Sequence, residues 1–278
     1  MNTQILDGRS LAKEILADLK AQISKQTPGL CTILVGEDPA SKIYVQHKIK
    51  QAKEIGFRSV QYFLDASILE TDLLKLIHEA NRDPKIDGIL VQLPLPPHIQ
   101  TETILQAINP LKDIDGFHPE NIGLLSIGKP RFIPCTPKGC MHLIQASGLD
   151  LLGCHAVIIG RSNIVGKPLA HLLMNSDATV TVCHHNTQNL KSFTQQADLL
   201  ISAAGSPQLI QPDFIKPGAV IIDIGINKLP DGKLVGDVDT QGALSIAQAI
   251  TPVPGGVGPM TLAMLMENTW EAYKLKQN

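Results

Sequence analysis

Four polar residues lie in or after predicted parallel strands, on the side of their carboxyl ends: Tyr44, Lys48, Gln92 and Asp115. Tyr44 and Lys48 lie four residues apart on a helix predicted after the strand Cys31–Gly36, so their side chains share one helix face. Gln92 ends a strand predicted over 88–93, just before a proline-rich segment, and Asp115 lies in the following loop, 112–116. Ligands of open parallel sheets bind beyond the carboxyl ends of the strands. The sequence therefore predicts an ammonium, a phenol, an amide and a carboxylate at one ligand-binding edge.

Each of these residues also has an ordinary structural explanation. A tyrosine and a lysine at this spacing are most often part of a solvated helix face, and a glutamine at a strand end usually satisfies backbone groups. Only their convergence on one edge favours a functional site.

A second candidate site is the segment 157–173, where a run of β-branched residues ends in Gly160 and a helical pattern begins near Gly166. A strand, a tight loop and a helix N-terminus together present backbone N–H groups to a phosphate. The spacing of the two glycines differs from the three-glycine dinucleotide fingerprint. A glycine pair is also common at ordinary strand-to-helix turns of α/β proteins. The motif alone leaves both interpretations open.

The residues around this turn favour NADP over NAD. NAD-binding folds place an acidic residue about twenty positions after the glycine turn, where it binds the ribose 2′-hydroxyl. Here the next strand ends in Val182-Cys-His-His-Asn186, which has no carboxylate, while Arg161 lies in the turn itself. A cation at this place suits a 2′-phosphate. The alternative is that Arg161 pairs with a surface acid.

The elements that position these residues alternate between strand and helix along the chain, which indicates a largely parallel sheet with right-handed crossovers. The sequence predicts an α/β protein with two α/β domains flanking a cleft, the second a Rossmann-like dinucleotide-binding domain with a mainly parallel sheet. A Gly- and Pro-rich stretch, 121–137, marks the boundary. The predicted first domain is 1–137, joined by a C-terminal helix at 260–278, and the second is 138–259.

The predicted helices cover 10–24, 39–55 and 71–81, begin at 101, 137 and 166, and end with 260–274. The predicted strands are 31–36, 59–64, 88–93, 155–160, 178–183, 198–203 and 219–224.

Composition excludes several classes of partner. The chain has 24 Lys+Arg against 26 Asp+Glu with no long run of either sign, which argues against nucleic acid or an anionic membrane surface. No apolar run reaches the roughly 18 residues of a spanning helix, and the first residues do not resemble a secretory signal. Five cysteines without Cys-x-x-Cys spacing fit reduced thiols in the cytoplasm. Cys183 with His184 and His185 is a poor zinc site because successive strand residues face opposite sides, so we expect no metal.

Six motifs in the order of one known family span residues 39–261. They are Pro39-Ala-Ser-Lys-Ile-Tyr-Val-Gln-His-Lys48, Val91-Gln-Leu-Pro-Leu-Pro96, Lys112-Asp-Ile-Asp-Gly-Phe117, Pro134-Cys-Thr-Pro137, Gly160-Arg-Ser-Asn-Ile-Val-Gly-Lys-Pro168 and Thr251-Pro-Val-Pro-Gly-Gly-Val-Gly-Pro-Met-Thr261. With these, the chain resembles the bifunctional methylenetetrahydrofolate dehydrogenase/cyclohydrolases of one-carbon metabolism. The resemblance implies a cytoplasmic homodimer that oxidises 5,10-methylenetetrahydrofolate with NADP and hydrolyses the methenyl product to 10-formyltetrahydrofolate.

The resemblance also implies roles for individual residues. Lys48 is the key catalytic group, Tyr44 shapes the folate site, Gln92 tunes Lys48 and Asp115 binds the pterin. The remaining implied substrate-binding residues are Val91, Leu93, Pro254, Gly255 and Gly256. The implied cofactor-binding residues are Gly160, Arg161, Ser162, His185 and Ile226.

One departure from the family pattern concerns the cofactor. Many members have a serine where His185 stands, next to the expected 2′-phosphate, so a histidine here can either donate a hydrogen bond or weaken the preference for NADP. Two alternatives to the bifunctional enzyme stay open. One is a dehydrogenase without hydrolase activity, and the other is a non-catalytic dinucleotide-binding module.

Overall fold

A computed structural model describes residues 2–23 and 26–277 of the chain. The described residues fall into two compact units. The six-strand unit comprises residues 1–13, 125–129 and 136–261, and the three-strand unit comprises 14–124, 130–135 and 262–278. The predicted domain bounds, 1–137 with 260–278 and 138–259, stay predictions.

The helices and strands are β1 (Gln4–Ile5), α1 (Gly8–Ile23), β2 (Gly29–Val35), α2 (Pro39–Ile55), β3 (Arg58–Leu64), α3 (Glu70–Arg82), β4 (Gly88–Val91), α4 (Thr101–Ala107), α5 (Pro119–Ser126), α6 (Cys135–Ala146), β5 (His155–Ile159), α7 (Gly166–Met174), β6 (Thr179–Cys183), α8 (Leu190–Thr194), β7 (Leu199–Ser202), a 3₁₀ turn (Pro212–Phe214), β8 (Val220–Asp223), β9 (Asn227–Lys228), β10 (Leu234–Val235), α9 (Thr240–Ala243), β11 (Ala249–Ile250) and α10 (Val257–Gln277).

The three-strand unit is built on a parallel sheet of order β3-β2-β4. Its central strand β2 is buried along its whole length, as an apolar run inside a parallel sheet must be. Leu73 and Ile77 of α3 pack on one sheet face with Cys31 and Ile33 of β2. The first strand of this group lies in the middle, so the crossovers after β2 and β4 diverge at their carboxyl ends and leave a place for a ligand there.

The six-strand unit contains a sheet of order β1-β11-β8-β7-β5-β6, and all its strand pairs are parallel. The chain passes from β5 outward to β6 and then crosses back to β7 on the other side of β5. This reversal is the topological switch point at which doubly wound folds bind dinucleotides. The predicted fold class, α/β with a mainly parallel sheet in a Rossmann-like unit, is confirmed.

The predicted elements recur with small shifts at their ends, and the structure adds several that the sequence did not predict. The helix α5 overlaps the start of the predicted boundary stretch, and its eight residues, which include Gly123, are too few to show a helical period. The two-residue strands β1 and β11 are too short to show a periodic pattern. Their extended conformation depends on pairing with neighbouring strands of the sheet. The last helix begins at Val257, three residues before its predicted start at 260. Ser24, predicted to end the first helix, lies outside the described residues.

Among the helices of residues 2–23 and 26–277, none is both long and apolar enough to cross a membrane.

Candidate active site

The helix α2 positions Tyr44 and Lys48 in the three-strand unit. Its start is fixed by Asp38, whose carboxylate accepts a hydrogen bond from the backbone N–H of Ser41 at 2.7 Å, and by Pro39 in the first turn. Val45 and Ile49 of the same helix are buried. Tyr44 therefore faces away from the core and is 44% exposed, while Lys48 one turn later is half-buried.

Gln92 contacts Lys48 directly. The Lys48 ammonium donates a hydrogen bond to Oε1 of Gln92, with 3.0 Å between the two atoms. The amide is oriented because its Nε2 donates to the carbonyl of Leu93 at 2.7 Å, and its backbone N–H extends the sheet by donating to Ile33 at 2.9 Å. The lysine is thereby held at the carboxyl end of β4 by a neutral partner rather than by an ion pair.

The loop that carries Asp115 is built around a different carboxylate. Asp113 is buried, and it accepts hydrogen bonds from the backbone N–H groups of Phe117 and His118 and from the side chain of Asn121. Burial raises the pKa of Asp113 in spite of these donors. Asp113 thus organises the loop, and Asp115 two residues later is a half-buried residue.

Two residues that the sequence did not indicate lie beside Asp115. The thiol of Cys135 lies 3.8 Å from Oδ1 of Asp115, and the buried amide of Asn268 donates to the carbonyls of Ile114 and Ile133 at 2.8 and 2.9 Å. Desolvation raises the pKa of Asp115 to about 6, opposed by the positive charge of Lys48 and the Cys135 hydrogen bond. The only sequence signal was the position of Cys135 in the motif 134–137.

The other residues assigned to folate by resemblance fall in two places. Val91 ends β4 with its side chain in the core, so it can reach a ligand only through its backbone, and Leu93 is half-buried. Pro254, Gly255 and Gly256 belong to the six-strand unit, in the loop before α10. Gly255 has a φ of +116°, a conformation that side chains rarely adopt, and its carbonyl accepts a hydrogen bond from Arg9.

The predicted phosphate loop connects β5 to α7 at the switch point of the six-strand sheet. A Cβ at Gly160 would lie 2.4 Å from the carbonyl oxygen of Ala203, and a Cβ at Gly166 would lie 2.0 Å from that of Gly160. Both positions therefore require glycine. The hydroxyl oxygen of Ser162 accepts hydrogen bonds from the N–H groups of Val165 and Gly166, which leaves its own proton to donate outward.

The side chains around this loop suit a polyanion. Arg161 and His185 are exposed, and no hydrogen bond or ion pair joins Arg161 to another described residue, so the predicted alternative of a surface acid partner finds no support. Ile226, in the loop after β8, is 46% exposed. Over residues 2–23 and 26–277, no three His, Cys, Asp or Glu side chains are grouped closely enough to hold a metal ion.

Comparison with known proteins gives the same division of roles. The family model of the tetrahydrofolate dehydrogenase/cyclohydrolase catalytic domain matches residues 6–115, and that of its NAD(P)-binding domain matches residues 134–277. The chain belongs to the tetrahydrofolate dehydrogenase/cyclohydrolase family.

Individual relatives resemble the chain over its whole length. The bifunctional protein FolD of Acetivibrio thermocellus is 52% identical over 281 residues, with 99% of both chains covered. The crystal structure of the bifunctional enzyme FolD from Campylobacter jejuni is 48% identical with a TM-score of 0.96, covering 99% of each chain. The Trypanosoma brucei enzyme, in complex with NADP and an inhibitor, is 39% identical with a TM-score of 0.96, covering 100% of this chain and 99% of its own.

Membership in this dehydrogenase/cyclohydrolase family confirms the predicted resemblance and the predicted enzyme class, a methylenetetrahydrofolate dehydrogenase with cyclohydrolase activity. The prediction of a nicotinamide cofactor is confirmed by the NAD(P)-binding domain at 134–277 and agrees with the NADP bound to the Trypanosoma brucei relative.

Proposed function

We propose that the chain oxidises 5,10-methylenetetrahydrofolate to the 5,10-methenyl form with NADP and then hydrolyses this product to 10-formyltetrahydrofolate, with Lys48 as the key catalytic residue. The observation that carries the proposal is the 3.0 Å hydrogen bond between Lys48 and Gln92 at the ligand-binding edge of the three-strand sheet. A lone lysine on a solvated helix face would not be fixed in this way.

The oxidation requires orientation more than acid–base chemistry, because the bound cofactor supplies the hydride acceptor. In the six-strand unit, the backbone of Gly160 and the outward hydroxyl of Ser162 suit the pyrophosphate, and Arg161 suits a 2′-phosphate. His185 lies exposed after β6, where a protonated imidazole would strengthen this preference, and Ile226 offers its backbone after β8.

Folate recognition is assigned to Asp115 with support from the surrounding backbone. An ionised carboxylate accepts hydrogen bonds from the amino-pyrimidine edge of a pterin, which is rich in donors. Tyr44 offers an exposed ring for a flat ligand, Val91 and Leu93 offer backbone groups, and we assign Pro254, Gly255 and Gly256 to the same substrate.

The hydrolysis requires a proton relay, which we assign to Lys48. Water adds to the cationic methenyl carbon and loses one proton. The bond from this carbon to N5 then breaks as N5 takes up a proton, and the remaining hydroxyl proton leaves to solvent as the formyl carbonyl forms. A neutral lysine amine held next to the reacting carbon can accept the first proton and deliver it to N5. Gln92 keeps the ammonium pointing in one direction, since its own amide is fixed by Leu93.

The experiment is an absorbance assay of the purified protein with methylenetetrahydrofolate and either NADP or NAD. We expect NADP-dependent formation of the methenyl species followed by its decay to the formyl product. Accumulation of the methenyl form without decay would favour the dehydrogenase that lacks hydrolase activity. NADP binding without any turnover would favour the non-catalytic module and contradict the proposal.

Homodimerisation and a cytoplasmic location are proposed with this function. All five cysteines are buried and none forms a disulfide, in keeping with a reducing compartment. Sedimentation of the purified chain measures the oligomeric state.

A further inference from the structure

Two buried carboxylates, Asp223 and Asp237, lie next to each other in the six-strand unit. The backbone N–H of Asp237 donates to Oδ1 of Asp223 at 3.0 Å, and both residues are at most 1% exposed. No lysine, arginine or histidine of the described part of the chain forms an ion pair with either one. Two neighbouring buried acids without a cation are costly, so the structure has to offset them in another way.

The compensation comes from donors on loops distant in sequence. Oδ2 of Asp237 accepts from the N–H groups of Ala204 and Gly205 at 2.8 and 3.1 Å and from the hydroxyl of Ser202 at 3.1 Å. Its Oδ1 accepts from the N–H of Ser206 and from the amide of Asn227, both at 2.9 Å. One side chain thereby fixes the loop after β7 and joins it to the segment after β8.

Asp223 fixes the other side of the same segment. Its carboxylate accepts from the N–H groups of Gly225 at 3.0 Å and Val238 at 2.9 Å, and its own N–H donates to the hydroxyl of Thr251 at 2.8 Å. Gly225 and Asn227, on either side of Ile226, are thus each tied to one of the two acids. The backbone of Ile226 has little freedom to move independently of the pair.

Glycines allow the backbone to approach both carboxylates. A Cβ at Gly225 would lie 2.2 Å from Oδ1 of Asp237, and a Cβ at Gly236 would lie 1.9 Å from Oδ2 of Asp223. The two carboxylates can therefore occupy their positions only because Gly225 and Gly236 have no side chain.

The loops held in this way lie at the switch point of the sheet. Ala203 packs against Gly160 of the phosphate loop, and the strands run in the order β8-β7-β5-β6. A dinucleotide whose pyrophosphate lies after β5 and whose 2′-phosphate lies towards β6 extends its nicotinamide half towards β7 and β8. The loops after these two strands are 203–206 and 224–227.

We propose that Asp237, supported by Asp223, is a positioning residue for the cofactor that holds the loops 203–206 and 224–227 in the shape that binds the nicotinamide half. The inference rests on the proposed function, because it presupposes NADP in the six-strand unit. A carboxylate is required rather than an amide because every group that faces Asp237 is a donor.

The test is the Asp237→Asn variant of the full chain. An asparagine places an N–H₂ group among backbone and side-chain donors, so the loops have to move apart. We expect the Kd for NADP, measured by titration calorimetry, to rise about tenfold or more, as the loss of hydrogen bonds to a charged group implies. The cyclohydrolase activity is assayed with methenyltetrahydrofolate and no NADP. It should change less than about twofold, because the variant leaves Lys48 and Gln92 unchanged.

Two further variants make the test decisive. Asn227→Ala removes only one donor to Asp237 and should give the same selective effect on NADP at a smaller size. Asp239→Asn is the matched control, because Asp239 caps the short helix α9 through Gly242 and does not contact either loop. If Asp237→Asn fails to fold, Asn227→Ala decides.

The inference is overturned if NADP affinity is unchanged in a folded Asp237→Asn protein, or if NADP affinity and cyclohydrolase activity fall together in Asn227→Ala. Failure of the proposed function would look different, because the wild type itself would then not bind or reduce NADP.

Discussion

The two sheets of this protein have the same local strand order and use it differently. In each, the first strand of the group lies between the second and the third, so the ligand-binding edge forms at equivalent places, after β2 and β4 in one unit and after β5 and β7 in the other. The three-strand unit fills this edge with side chains that can exchange protons. In the six-strand unit, the same edge consists of backbone segments that approach one another closely at Gly160 and Gly166. Equal topology thus supports chemistry at one edge and binding at the other.

The carboxyl groups show the same contrast. Desolvation raises the pKa of both Asp115 and Asp223 to about 6. Asp223 accepts hydrogen bonds from three backbone N–H groups and faces no solvent, whereas Asp115 is half-buried and accepts a hydrogen bond from the thiol of Cys135. A raised pKa therefore identifies burial in both units, and only the unsatisfied hydrogen-bonding capacity of Asp115 distinguishes a site for a ligand.

The largest expected effect tests whether the chemistry belongs to the three-strand unit alone. Lys48→Met removes the proton relay and keeps a side chain of similar length, so cyclohydrolase kcat should fall about 10²–10⁴-fold. NADP affinity should stay near the wild-type value, because no cofactor residue changes. Stopped-flow absorbance and titration calorimetry measure the two quantities.

Lys50→Met is the matched control on the same helix, since Lys50 is exposed and only distantly paired with Glu54. A Lys48→Met protein that hydrolyses the methenyl substrate at the wild-type rate would contradict the assigned role of Lys48.

A smaller effect tests the reverse case, in which binding changes without a change in chemistry. Arg161→Ala should raise the KM for NADP about 10–100-fold, since it removes a charge-assisted contact to the 2′-phosphate, and should leave the KM for NAD nearly unchanged. Steady-state rates with each cofactor measure the ratio. Lys191→Ala controls for the loss of one positive charge in the same unit, because Lys191 pairs with Asp213. Equal effects of Arg161→Ala on both cofactors would reject the 2′-phosphate assignment.

Sequence patterns predicted the parts of this fold that local chemistry determines. Asp38, Pro39 and Gly56 delimit α2 through capping and the left-handed φ of Gly56, and all three signals are readable without a structure. The spacing of Tyr44 and Lys48 follows from the same helix. The glycine pair at 160 and 166 was also readable, although its necessity became clear only from the close approach of Ala203.

Long-range pairing was not predictable. Asn268 is 154 residues from Ile114, whose carbonyl it binds, and nothing in the local sequence indicates that contact. The same holds for Asp237, which reads as an ordinary loop residue until its donors from 202–206 are known. Long-range contacts of this kind determine which buried polar residues hold the loops of a site in place.

The smallest predicted effect is a pH dependence of the activity, which distinguishes between the two carboxyl groups whose pKa is raised, Asp115 and Asp223. If ionised Asp115 binds the pterin, cyclohydrolase kcat/KM should fall about tenfold between pH 7 and pH 5, since a group with a pKa of about 6 is mostly protonated at pH 5. Asp115→Asn should have a lower but flat profile over this range. The pKa of Asp223 is also raised to about 6, but Asp115→Asn leaves Asp223 in place, so an acid limb due to Asp223 would persist in that variant. An acid limb that persists in Asp115→Asn would therefore assign the pH dependence to another group.

The same proton has an opposite effect on stability, which gives Asp115 an independent test. Because the folded-state pKa is raised above the ordinary value of 3.8, the folded protein holds this proton more tightly than the unfolded chain does. The contribution of Asp115 to the free energy of unfolding therefore decreases as the pH rises from about 4 through about 6. Asp115→Asn should be more stable than the wild type at pH 8, by about 1–3 kcal/mol in urea unfolding, and should lose this advantage near pH 4. A variant that is destabilised equally at both values would show that Asp115 serves the fold, as Asp113 does, and the three-strand unit would then lack its proposed pterin anchor.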